Sequence, residues 1–208
     1  ETVDQYKKMK KGQRDEAKDK GGFMAGTLKG VKRRKHEVVS RSMITLDGDK
    51  LEEGFLEDYE FVNPYEAILY TTHSHTVESP RARILLPLTR DVTPEEYIAI
   101  AKYLCADMGI DMFDPCSFEI NQLMYWPTCP SDGEYVREYY EGEWLDPDKY
   151  LAGHPDWTDP VKLPRAACET KTFDTQKKKQ EDPISKSGAV GAYCRAHSIS
   201  DVMASELS

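Results

Sequence analysis

The segment Ser42-Met-Ile-Thr-Leu-Asp-Gly-Asp49 is rich in β-favouring side chains and ends in two aspartates separated by a glycine. It reads as a strand. Side chains two apart on a strand point the same way, so Asp47 and Asp49 share a face at its end. Two carboxylates so placed suit a hard divalent cation such as Mg2+ or Mn2+. The same letters, Leu-Asp-Gly-Asp-Lys, are also ordinary hairpin-turn chemistry. The pair therefore takes its meaning from what surrounds it.

Two more strand-like runs follow. Ala67-Ile-Leu-Tyr-Thr-Thr72 ends in His73-Ser-His75, and Ala82-Arg-Ile-Leu-Leu-Pro87 comes after a turn at Glu78-Ser-Pro80. Arg81 and Arg83 alternate, so they share one face. Thr93-Pro-Glu-Glu96 predicts a helix start: Thr93 caps, Pro94 fits the first turn and Glu96 completes a capping box. Tyr97, Ile100, Leu104 and Met108 keep helical spacing as far as Gly109. An acidic turn, Gly109-Ile-Asp111-Met-Phe-Asp114-Pro115, is followed by a short apolar strand from Gln122 to Trp126. Tyr135 to Tyr140 is expected to pair with that strand through the turn at Ser131-Asp-Gly133. Upstream, Glu1 to Lys20 reads as a polar helix broken by Gly21-Gly22, and Phe23 to Leu28 as a short strand or loop. The run Lys29 to Lys35 (KGVKRRK) holds Lys29, Lys32, Arg33, Arg34 and Lys35 just before the first strand. It is either a solvated loop or a contact for a phosphate backbone.

The 208 residues are 39% hydrophobic and 10% aromatic, enough for a core. Lys+Arg is 28 against 37 for Asp+Glu, a net charge of -9. That excludes an overall basic coat for nucleic acid but leaves room for a local basic groove, because the acid is concentrated in 51–58 and 134–159. No apolar run approaches the roughly 18–20 residues of a membrane span, and no signal peptide is visible. The cysteines (Cys105, Cys116, Cys129, Cys168, Cys194) form no C-x-x-C pair, which argues against a disulfide scaffold or structural zinc site and fits the cytoplasm. From Trp144 onward Asp, Pro and Lys dominate. The expected organisation is a catalytic domain over 1–150, a linker over 151–187, and the start of a truncated downstream module over 188–208.

Several residues beyond the first pair can carry chemistry. His75, just past a strand, can contact a phosphate or a metal, or be a plain loop histidine. Asp111 or Asp114 can supply a third carboxylate, or belong to a helix-terminating turn. Tyr125 and Trp126 read as core, or one of them stacks on a base. His73-Ser-His75 resembles the paired histidines of rolling-circle nicking nucleases, which would act with a tyrosine nucleophile.

The order is the more telling feature: a strand ending Asp-x-Asp, a strand ending Ser-His, a strand with alternating Arg, a helix, an acidic turn and a short strand. Arg41 to Asp49, Tyr70 to Thr76, Pro80 to Leu88 and Phe113 to Pro127 together resemble the archaeo-eukaryotic primase superfamily. The likeness is greatest to the primase–polymerase domain of phage and mobile-element replication proteins of the virulence-associated E type. Gly21-Gly-Phe23, the basic run and Gly191-Ala-Tyr-Cys-Arg195 fit as well.

The resemblance implies an α+β fold built on an RRM-like antiparallel sheet with flanking helices. It implies metal binding by Asp47, Asp49 and a third acid, placed on Asp114 because it lies eight residues before Gln122, with Asp111 as the alternative. It implies catalytic His75, nucleotide contacts by Ser74, His75, Arg81 and Arg83, and a single-stranded DNA template held by the Lys29–Lys35 run. Nucleoside triphosphates would be the substrates, Mg2+ or Mn2+ the cofactor, and a helicase module the expected companion, with no membrane partner. A nicking nuclease and a catalytically decayed nucleotide- or DNA-binding module are the rival readings.

Overall fold

The computed structural model describes residues 1–170 together with 192, 193 and 196. It divides into a compact unit, Glu1–Ala166, and a second unit that begins at Ala167. The expected module over 188–208 lies almost wholly outside the described residues, as do residues 171–187 of the expected linker.

The first unit opens with two short helices, α1 (Val3–Lys8) and α2 (Lys11–Lys18), where a single polar helix was expected. Met9 between them is extended, which breaks the helical ladder. Then come β1 (Gly22–Phe23), β2 (Gly26–Leu28) and the long β3 (Val38–Gly48). Helix α3 (Phe55–Val62) follows, then β4 (Ala67–Thr71), β5 (Ala82–Val92) and helix α4 (Pro94–Met108). After 3-10 turns at Ile110–Met112 and Pro115–Phe118 come β6 (Met124–Tyr125), β7 (Arg137–Tyr140) and helix α5 (Pro147–Ala152).

The main sheet is antiparallel, in the order β2-β3-β5-β4-β7. Its centre, β3-β5-β4 with α3 after β3 and α4 after β5, is the βαββα arrangement expected of an RRM-like sheet. The edge beside β3 is taken by β2, from upstream in the chain. The core gathers Ile44, Leu46, Leu69, Ile84 and Leu86 from the sheet with Tyr97, Ile100 and Leu104 from α4 and Tyr59 from α3. Helix α4 starts as its sequence dictates, with Thr93 and Glu96 bonded reciprocally in a capping box.

The structure departs from the sequence reading in three places. The acidic stretch 51–58, for which no element was expected, runs into helix α3, whose Phe55 and Tyr59, one turn apart, are buried. Gly54, at φ 85, supplies the left-handed entry that other residues adopt reluctantly. Second, β7 does not pair with the strand at 124–125. It lies against β4, Ile68 beside Tyr139 and Tyr70 beside Arg137, while β6 pairs with β1. Gly22 permits this, because a Cβ there would stand 2.5 Å from the Met124 carbonyl oxygen. Third, the compact unit continues past 150. Arg90 bonds both Glu96 and Asp148, Lys102 Nζ donates to the Pro164 carbonyl, and Leu151 and Ala166 are buried.

Arg41 is fully buried, beneath the sequence that decides the fold. Its guanidinium donates to the carbonyls of Ala25 and Ile120 and to Thr45 Oγ1, and it lies 4.2 Å from the centre of the Tyr97 ring. It thereby ties β3 to the segment before β2, the segment before β6 and helix α4. Truncation would strand these acceptors. Arg41→Ala is expected to lower stability in urea unfolding by about 2–4 kcal/mol, measured with circular dichroism.

Candidate active site

The antiparallel register of β3 and β5 places Asp47 directly opposite Arg83 and Gly48 opposite Ala82. Arg83 is in turn opposite Tyr70 on β4, and Tyr70 opposite Arg137 on β7. Asp47, Arg83, Tyr70 and Arg137 therefore form one row on one face of the sheet. Just beyond the strand ends, Arg81 Nη1 lies 3.3 Å from Asp49 Oδ1. The alternating acids of one strand thus meet the alternating arginines of its neighbour.

The third acid arrives from the turn after α4. Asp114 N–H donates to the Asp47 carbonyl at 2.8 Å, and Asp47 N–H donates to Ser117 Oγ at 2.8 Å. Phe113 bridges Gly48. These backbone bonds fix Asp114 beside Asp47. Its carboxylate caps the following turn, accepting from Cys116 N–H. Asp111 is exposed and does not border the cleft.

Asp47, Asp49 and Asp114 line one cleft of ≈230 Å³, together with His73, Ser74, Arg81 and Arg83. Lys18, Thr72, Gln122, Tyr125 and Thr128 complete the lining. β6 forms part of its wall, where the Tyr125 carbonyl accepts from both Tyr70 Oη and Arg83 Nη1.

The electrostatics of Asp47 stand out. Its carboxyl is pushed up to about 6, first by burial and further by the charges of Asp49 and Asp114, against the pull of Arg83. Arg83 Nε stands 3.6 Å from Asp47 Oδ1, too far for a hydrogen bond, and both atoms are buried without a partner. A buried carboxylate oxygen left in this state, among two further acids, fits a hard cation. Among the described residues no group of three or more His, Cys, Asp or Glu side chains is already arranged around a metal position. Arg81 and the Cys116 N–H instead engage two of the three carboxylates.

The two histidines separate. His73 borders the cleft of carboxylates. Its Nδ1 is 2.9 Å from Thr128 Oγ1 and its Nε2 is 2.9 Å from a Glu1 carboxylate oxygen. Tyr6 packs on the ring, and Tyr6 Oη lies 3.2 Å from Ser74 Oγ. Burial lowers the His73 pKa, opposed by Glu1. His75 borders two neighbouring hollows but not this cleft. Its Nδ1 accepts from the Arg81 backbone N–H. The expected place of His75 among the carboxylates is thus taken by His73. The Thr72–Ser79 turn, closed by bonds between Thr72 and His75 and between Thr76 and Ser79, leaves His73 on the cleft and His75 off it, while both border a third hollow.

Residues 1–166 match the family of the VapE N-terminal domain. The chain belongs to that family. A solved structure with a similar arrangement is the primase–polymerase (PrimPol) AEP domain of cyanophage S-2L. It is 18% identical over 58% of this chain and 63% of that one, with a TM-score of 0.42. The match therefore spans less than two thirds of that chain. No curated protein sequence matches. Among the described residues no helix is long and apolar enough to cross a membrane.

In this VapE-type domain the basic run meets the loop before β6. Lys35 pairs with Glu119 at 2.8 Å and Arg33 donates to the Asn121 carbonyl, while Lys29, Lys32 and Arg34 are exposed and in no ion pair. Lys18 and Thr128 were missing from the sequence reading, and Gln122 entered it only as the start of a short strand. Each sits in a segment with no motif of its own and reaches the cleft only through chain packing.

The raised Asp47 has a definite pH signature. Ionising it costs more in the folded than in the unfolded chain, so the penalty is present above pH about 6 and vanishes below the ordinary carboxylate value of 3.8. Relative to the parent, Asp47→Asn should gain about 2 kcal/mol of stability between pH 4 and pH 7.5. Urea unfolding at the two pH values measures it, and a flat difference would contradict the raised value.

Proposed function

We propose that this chain is a primase–polymerase domain of a mobile-element replication protein, carrying out metal-dependent nucleotidyl transfer on a single-stranded DNA template. The observation that supports it most is the meeting of Asp47, Asp49 and Asp114, from separate segments, in one cleft with His73, Ser74, Arg81 and Arg83. Membership of the VapE N-terminal family is consistent with it.

Extension joins a 3′-hydroxyl to the α-phosphorus of a nucleoside triphosphate and releases pyrophosphate. Asp47, Asp49 and Asp114 would hold Mg2+ or Mn2+, which when bound favours the ionised hydroxyl and offsets charge on the leaving group. Arg81 and Arg83 are the fixed cations of the cleft, and each can turn from a carboxylate towards a phosphate oxygen once a metal neutralises that acid. The Glu1 oxygen 2.9 Å from His73 Nε2 marks a position where this ring meets an anionic oxygen. His73 is therefore assigned the triphosphate contact, with Ser74 Oγ beside it. Lys29, Lys32 and Arg34 have free charge to grip a template backbone without reading sequence, whereas Lys35 and Arg33 are committed to the loop before β6.

Binding without turnover is the second reading. It is favoured by the engagement of the carboxylates with Arg81 and with the Cys116 N–H in place of a metal-ready arrangement.

Incubation with Mn2+, labelled nucleotide and a primed single-stranded template separates the readings. Extension should fall at least about a hundredfold in Asp47→Ala and Asp49→Ala. His73→Ala should raise the KM for nucleotide by more than His75→Ala does. Template and nucleotide binding with no extension would leave the binding module, and a covalent tyrosyl–DNA adduct would establish the nicking nuclease.

A further inference from the structure

A second hollow, larger than the cleft at ≈630 Å³, lies between α3 and β7. Its charge is one-sided. Glu53, Glu57 and Glu60 border it from the α3 side, and Glu134 and Glu138 from the β7 side, with no Lys or Arg in the lining. None of the five takes part in an ion pair. Their fields converge: after burial, Glu138, Glu60 and Glu57 each push the Tyr140 hydroxyl upward. Glu138 sits opposite Leu69, so it points to the other face of the sheet from the Asp47–Arg83 row. This groove is separate from the cleft, and its sign repels nucleic acid.

A second observation comes from His75. It is only 5% exposed and borders the groove. Its Nδ1 accepts from the Arg81 N–H, which puts the ring proton of the neutral form on Nε2. That N–H has no partner. The atom is reached by solvent at the groove, so a backbone carbonyl brought there can accept from it. The rest of the lining includes Leu56, Val77, Pro80 and Val136, so the floor is apolar between the acids. β7 is the outermost strand of its sheet, leaving a backbone edge beside the groove.

We propose that the groove between α3 and β7 docks an extended, Lys/Arg-rich segment of a partner protein. Its cationic side chains lie between the glutamates of α3 and those of β7, and one of its backbone carbonyls accepts from His75 Nε2–H. A metal ion does not explain the site, because among the described residues no three of its acids are arranged around one position. A polyamine matches the charge but leaves the apolar floor and the His75 donor unused.

The test needs no nucleotide or template, so its outcome is independent of the polymerase reading. A fluorescein-labelled peptide alternating Lys and Val is titrated by anisotropy against the whole chain, the Glu57→Gln/Glu60→Gln/Glu138→Gln variant and His75→Ala, with circular dichroism as the folding control. Saturable binding is expected, weakened at least about tenfold in the triple variant and by raised salt, and severalfold in His75→Ala. An acidic peptide should not bind. Equal affinity of the triple variant, no binding to the parent, or competition by spermine as effective as that by unlabelled peptide would overturn the proposal. If His75→Ala fails to fold, His75→Gln, which keeps a donor, replaces it and should retain more affinity than His75→Leu.

Discussion

The register between β3 and β5 is the constraint on which the rest of the molecule depends. A shift of one residue would turn Asp47 and Asp49 into the apolar core and bring Leu46 out to the cleft. The register is held by burial of Ile44, Leu46, Ile84 and Leu86 on the core side, so the hydrophobic effect sets the geometry of the polar face. Given that register, Asp47 must face Arg83. The pair is closer to a stand-off than a bond. Asp47 Oδ1 and Arg83 Nε are buried side by side beyond hydrogen-bond distance, and the carboxyl holds its proton more tightly than usual, first because of burial and then because of Asp49 and Asp114. A site with this much unsatisfied charge is costly to keep in a folded chain, which is where function rather than stability explains the sequence.

The turn after α4 completes what the sheet begins. Its contacts to Asp47 run through backbone N–H groups and the Ser117 hydroxyl, so the position of Asp114 is insensitive to the ionisation of the acids themselves. Tyr97 ties this turn to the sheet from beneath, its hydroxyl donating to the carbonyls of Thr45 and Ser117. Arg41, packed on the same ring, extends the brace to the segments on either side of the sheet's edge. The cleft thus stands on a buried polar network in which no partner is a carboxylate.

Charge is segregated by sheet face. The row Asp47–Arg83–Tyr70–Arg137 carries mixed charge on one face, while Glu138 on the other joins the glutamates bordering α3. Strand alternation divides Arg137 from Glu138, and much of the acid behind the net charge of -9 lies at the groove rather than at the cleft. Steering depends on the local field, so the net charge of the chain does not fix the sign of the field at Arg81 and Arg83.

The sequence by itself determined the elements whose signals are local. The three central strands, the α4 helix with its Thr93–Glu96 box, the shared face of Arg81 and Arg83 and the acids Asp47 and Asp49 were all legible. Period-two alternation and capping chemistry act over a few residues. The resemblance of four ordered segments to the primase superfamily likewise survived, through membership of the VapE N-terminal family. Only the tertiary structure decided the rest. The partner of β7 depended on the close approach that Gly22 allows β6, 102 residues away. The α3 helix was hidden because its acids masked two buried aromatics. Residues 151–166 joined the compact unit through Lys102, which donates to the Pro164 carbonyl far along the chain, and through burial of Leu151 and Ala166. That His73 and not His75 borders the cleft was set by the turn between them, although both border a third hollow. Such contacts reflect where the whole chain finds room and charge balance, and no short window of sequence carries that information.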